Sequence, residues 1–219
     1  MGLVPDGDAL GVMPVPLHGS QVASLPGRLL WRNASFLTLA AAMAIGLFAQ
    51  VGLIAHLFSL LVPTLGASYA GLAMAAATAA AVVGRTLVGR LMPSGADRRM
   101  VACSSYAVQI AGCLAFLLAA GSNLPLLLAG VILFGVGIGN ATSLPPLIAQ
   151  TEFVKDDVLR VVALIVGIAQ GTFAFAPAAF GLIRELAPDP AAPSVFAAAA
   201  LLQVLAIVIF LLGRRRPSH

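Results

Sequence analysis

Charge is what this sequence has least of. Asp, Glu, Lys and Arg make up 9% of its 219 residues, while 60% are hydrophobic and the mean hydropathy is +1.03. A soluble domain carries about 25% charge, so this composition leaves too little polar surface for a globule in water. An integral membrane protein is the class that remains. Segments of about ten residues that alternate apolar and polar are also missing, which excludes a transmembrane β-barrel. The apolar runs are instead continuous over some twenty residues, rich in Ala, Leu and Gly, and read as helices. Cysteine is limited to Cys103 and Cys113, both in one such run. Ten helical residues hold them about 15 Å apart, too far for a disulfide, and they say nothing of redox compartment. The apolar runs contain no Asp or Glu and a single histidine, His56. Paired catalytic carboxylates, a nucleophile with its base, and a metal cluster therefore lack their parts, and neither an enzyme, an intramembrane protease nor a cofactor is expected.

A bilayer-crossing helix takes about 17–25 residues. Six such spans fit: Phe36 to Val62, Ser68 to Met92, Met100 to Ala120, Leu124 to Ala149, Val158 to Ile183 and Ala191 to Leu212. The chain then divides into a tail or linker over 1–33, a six-helix bundle over 34–213, and a basic tail over 214–219. The opening segment has Asp6 and Asp8 among scattered prolines and glycines, with neither the basic start nor the compact apolar run of a secretory signal. Ten of the twelve basic residues lie on one set of connections: Arg28, Arg32, Arg90, Arg98, Arg99, Lys155, Arg160, Arg214, Arg215 and Arg216. The positive-inside rule puts both termini in the cytoplasm. The alternate connections, Pro63 to Ala67 and Gly121 to Asn123, are uncharged, and the fifth sets Arg184 against Glu185 and Asp189. Membrane orientation thus accounts for the pI near 9.8, and nucleic acid is not expected as a partner.

Spans one to three and four to six form two triplets joined at Gly121-Ser122-Asn123. An odd number of crossings in each makes the second run opposite to the first, the arithmetic of a 3+3 inverted repeat. Gly135 to Gly139 and Gly167 to Gly171 have the small-xxx-small spacing of close helix packing. Pro145 and Pro146 interrupt the helical hydrogen bonds of span four, and Pro177 can do the same in span five. Both read either as tolerated bends or as shapers of a cavity.

Arg85 is the one full charge well inside a span, roughly 7.5 Å from the midpoint of span two. Such a placement costs about 2.5–3.5 kcal/mol at a helix centre and less toward the interface. It is offset either by a substrate carboxylate or phosphate in a wet cavity, or by snorkelling or a helix-end carbonyl. Gln50, Asn140 and Gln170 fall near the midpoints of spans one, four and five, where three amides either converge on one ligand or tie helix to helix. His56 is a candidate for binding or for proton coupling.

Three stretches resemble the carboxyl-terminal half of a major facilitator superfamily transporter. Gly84-Arg85-Thr-Leu-Val-Gly89-Arg90-Leu91 with Asp97-Arg98-Arg99 is similar to the family's cytoplasmic loop between helices eight and nine, where a glycine permits close approach and charges latch the cytoplasmic face. Pro93 stands where the family commonly has a capping Asp, which leaves the latch to Asp97 or weakens it. GVGIGNATSLPPLIAQ, 135–150, resembles the glycine-rich, proline-kinked tenth helix of bacterial members. Gly2 to Asp8 looks like the linker between the family's two six-helix halves. The resemblance implies an all-α, multi-pass protein of the cell inner membrane that moves a small solute by alternating access. Spans one, two, four and five would line the cavity, with three and six facing lipid. It implies as partner another six-helix half, which is covalent, separate or a second copy. Arg85 also matches the arginine of monocarboxylate-type porters, which implies an organic anion, although the acidic residue those porters carry one turn earlier is Ala81 here. Substrate contact would fall to Arg85, Gln50, Asn140 and Gln170. The competing reading is an inactive truncated half or a membrane scaffold that transports nothing.

Overall fold

The computed structural model describes residues 27–93 and 95–214. Among them every regular element is helical: α1 (Gly27–Leu30), α2 (Ala34–Leu91), α3 (Arg98–Ala119), α4 (Leu124–Ile138), α5 (Leu144–Glu152), α6 (Lys155–Phe173), α7 (Ala176–Leu186) and α8 (Pro193–Leu212). Four stretches are long and apolar enough to cross a membrane: Ala34–Leu91, Arg98–Ala119, Lys155–Leu186 and Pro193–Leu212. Leu124–Ile138 is apolar but shorter.

Local chemistry sets where helices start and stop. Asn33, Asp97 and Asn123 accept hydrogen bonds from the first free backbone N–H groups of α2, α3 and α4. At 58 residues, α2 would extend about 87 Å, nearly three times the hydrocarbon thickness. It is two arms. Gly66, at φ 75° and ψ 162°, breaks the helix three residues after Pro63, in a conformation that a side chain would resist. The chain reverses there, because Thr64 Oγ1 donates to the Gly121 carbonyl while Met92 shares a cavity with Arg99. Thr38, at the start of the first arm, also touches Arg99. The connection expected over Pro63 to Ala67 thus narrows to one glycine, with helix on both sides. Similarly, α4 and α5 are one column broken at 139–143 ahead of Pro145 and Pro146, and α6 and α7 meet at a break just before Pro177. Both proline interruptions occur where the sequence places them.

Contacts give the directions of packing. Along α3 and α8, Cys103 meets Ile207, Gln109 meets Gln203, and Phe116 stacks on Phe196, which is antiparallel. Along the second arm of α2 and α4, Ala77 meets Gly135 and Ala81 meets Gly139, which is parallel. One apolar core, with Leu53, Leu57, Phe116, Phe134, Phe180 and Phe196, lies toward the Gly121 end. Another, with Phe36, Met43, Tyr106, Ile148, Val161 and Phe210, lies toward the Arg99 end. Leu30 of α1 is buried in the latter, so packing begins before residue 34, where the bundle is expected to start.

Candidate functional site

The break between α4 and α5 organises the region around Arg85. Pro145 and Pro146 bring no N–H to the helix, and the Ser143 and Leu144 amides both turn to the Asn140 carbonyl. The Gly139 carbonyl is left for a side chain. Arg85 supplies it, its Nε donating at 2.6 Å while Nη2 donates to Thr142 Oγ1 at 3.2 Å. The residue is otherwise exposed, and of five guanidinium N–H groups three keep no partner in these bonds.

This arrangement needs two backbones in contact. A Cβ on Gly139 would lie 2.0 Å from the Ala81 carbonyl oxygen and 3.1 Å from the Arg85 nitrogen, and one on Gly84 would lie 2.3 Å from the Val136 carbonyl oxygen. The expected packing role of Gly135 to Gly139 is met on this seam. Gly167 and Gly171 differ: among the described residues a Cβ on either meets nothing within 4 Å, so they pack against no described helix.

The three amides take separate places. Gln50 is 2% exposed and lines a small internal cavity with Tyr106 and Gln109, its Nε2 without a hydrogen-bond partner. Asn140 is 3% exposed and lines a different groove, with Val88 and Val108. Gln170 stands on the exposed face of α6. His56, half-buried, donates from Nε2 to the Pro177 carbonyl at 2.9 Å and so ties the first arm of α2 to α7. Among the described ion pairs no carboxylate partners His56.

The polar interior holds more than the sequence indicates. Gln203 Nε2 donates to Gln109 Oε1 at 3.2 Å between α8 and α3, both residues fully buried. The Tyr106 hydroxyl is buried without a partner among the described residues, in space that Gly46 leaves open. An unmatched buried hydroxyl costs about 1–3 kcal/mol. Tyr106→Phe is therefore expected to hold or raise the thermal unfolding midpoint in detergent, and a fall of several degrees would show that the hydroxyl has a partner such as water.

At the basic end, the loop charges form a lock. Arg99, 2% exposed, donates from Nε and Nη2 to Glu152 at 2.5 and 2.8 Å. It also donates to Thr38 Oγ1, the Ser35 carbonyl and the Phe210 carbonyl, and its guanidinium lies 6.0 Å from the Phe210 ring centroid. One side chain thereby holds α2, α3, α5 and α8. Asp97 accepts from the Arg99 and Met100 amides and pairs with Arg214, while Arg98 donates to the Leu147 carbonyl. Arg90 is exposed, and of the two glycines in this stretch Gly84 makes the close approach while Gly89 has open space beside it. Glu152, central to the lock, is absent from the sequence-derived set. The one signal for it is an acid at the basic end of span four, and its pairing with Arg99 crosses 53 residues. Among the described residues no group of His, Cys, Asp and Glu could hold a metal ion. Compared with known proteins, the chain matches no family model and no curated protein.

Proposed function

We propose that this chain is one half of a secondary transporter of the major facilitator type, with six membrane crossings in a 3+3 inverted repeat and both termini cytoplasmic. It moves a small solute, an organic anion or monocarboxylate, by alternating access against another six-helix half. The observation that carries the reading is Arg85, a permanent charge on an exposed helix face, anchored through two N–H groups with three free for an anion. Four further features support it. The reversal at Gly66 and the column of α4 with α5 turn four long apolar stretches into six candidate crossings. Thr38, Arg99 and Arg214 gather at one end, and Thr64 and Gly121 at the other, as the charge asymmetry requires. The exposed residues of α8, Pro193, Leu201, Val204, Leu205, Val208, Leu211 and Leu212, are all apolar, as suits lipid. Beyond its first turn, the exposed face of α6 presents Leu159, Ala163, Val166, Gly167, Gln170 and Gly171, small residues and an amide among apolar ones, as suits a cavity or a second half.

The second reading, an inactive half or a scaffold, is favoured by the same bonds: Arg85 already serves the α4–α5 break. Uptake by vesicles carrying the chain separates the two. Arg85→Ala is expected to lower organic-anion flux about tenfold or more, the worth of a charged hydrogen bond. Unchanged flux would remove the substrate role, and no flux from the wild type across a panel of organic anions would favour the scaffold.

A further inference from the structure

The groove holding Asn140 lies where the C-terminal turn of α2, α3 and α4 meet, with a volume of about 280 Å³. Val88, Leu91, Val101, Val108 and Val136 wall it, and its exposed rim is Leu91, Pro93 and Ser104. That rim opens on the side of the bundle where α3 turns Met100, Leu114 and Leu118 outward. Met92 and Pro93 are a shared wall: beyond them lies a second cavity of about 590 Å³, lined by Asp97, Arg98, Arg99, Glu152 and Arg214 among others. Three guanidiniums against two carboxylates leave this basin one net positive charge. Arg99 and Arg214 are paired with the two acids, so the excess sits on Arg98, whose described bond is to a carbonyl. An apolar slot that opens toward the acyl region and adjoins a cationic basin at the basic end has the polarity of an amphiphile.

We infer that this paired cavity binds one anionic phospholipid of the cytoplasmic leaflet, with an acyl chain in the groove between α2, α3 and α4 and its phosphate against Arg98. The bilayer itself supplies the ligand, and the charge of the basin selects it. This rests on the chain lying in a membrane with its basic end cytoplasmic, and not on solute transport.

Native mass spectrometry of the full chain in detergent tests it, with phosphatidylglycerol and phosphatidylcholine of equal chain length as probes. The wild type is expected to hold one lipid and to prefer phosphatidylglycerol roughly fivefold, the factor given by one cation near an anionic surface. Ser104→Trp, which fills the groove from its exposed rim, should remove the adduct, with Leu91→Trp as a second plug should the first fail to fold. Arg98→Gln should keep the adduct and equalise the two lipids. An adduct that survives both plugs, a preference that survives Arg98→Gln, or full displacement by glycerol phosphate alone would overturn the proposal. Arg85→Ala leaves the lipid count unchanged, so this inference and the transport reading can fail separately.

Discussion

Glu152→Ala is expected to destabilise the bundle by about 3 kcal/mol, because it strands the Arg99 guanidinium in a site where only 2% of its side chain meets water. The remaining acceptors, Thr38 Oγ1 and the Ser35 and Phe210 carbonyls, are neutral and cannot balance the charge. For a chain of this size that is a drop of about 6–12 °C in the unfolding midpoint, read in detergent at fixed protein concentration. Replacing both partners, Arg99→Met with Glu152→Met, should recover more than half of the loss, since an apolar pair avoids the desolvation that the ion pair must offset. A shift under about 2 °C for Glu152→Ala would mean that water reaches the pair and that the lock holds nothing.

Gly139→Ala is expected to cost about 1–3 kcal/mol or more, although alanine is the better helix former. The added Cβ meets backbone, the Ala81 carbonyl at 2.0 Å, and no rotamer change relieves it. The second arm of α2 and α4 must part, and the Arg85 bond to the Gly139 carbonyl stretches with them. Gly167→Ala supplies the opposite sign. Its Cβ meets nothing among the described residues, so the propensity gain of about 0.5–1 kcal/mol should hold or raise the melting midpoint. If α6 faces a second half, the same variant lowers flux while stability holds. Equal stabilisation by the two glycine variants would show that helix propensity and not backbone approach governs the seam.

The breaks at Pro145 and Pro177 were legible in the sequence because they depend on one residue's missing N–H and closed ring, a local property. The packing seam at Gly135 and Gly139 was legible in part for the same reason, since a glycine pair announces that something comes close. What comes close was not written there. Gly167 and Gly171 have the same spacing and touch nothing, because which face of a helix turns inward is settled by all its neighbours together. Convergence of Gln50, Asn140 and Gln170 was an inference from depth alone. Depth along the membrane normal follows from residue count, but rotation about each helix axis sets Gln50 against Tyr106, Asn140 in another groove and Gln170 outward.

By itself the sequence determined the helical class, the apolar stretches and the separation of the basic connections from the others, since each follows from composition and its distribution along the chain. Only the tertiary structure decided that Arg85 caps a broken helix, that Arg99 finds Glu152 and that Gln109 finds Gln203. Those pairings join residues 53 to 94 positions apart. No local rule reaches that far, because the partners are chosen by how the helices rotate and cross when their glycine seams and apolar faces close.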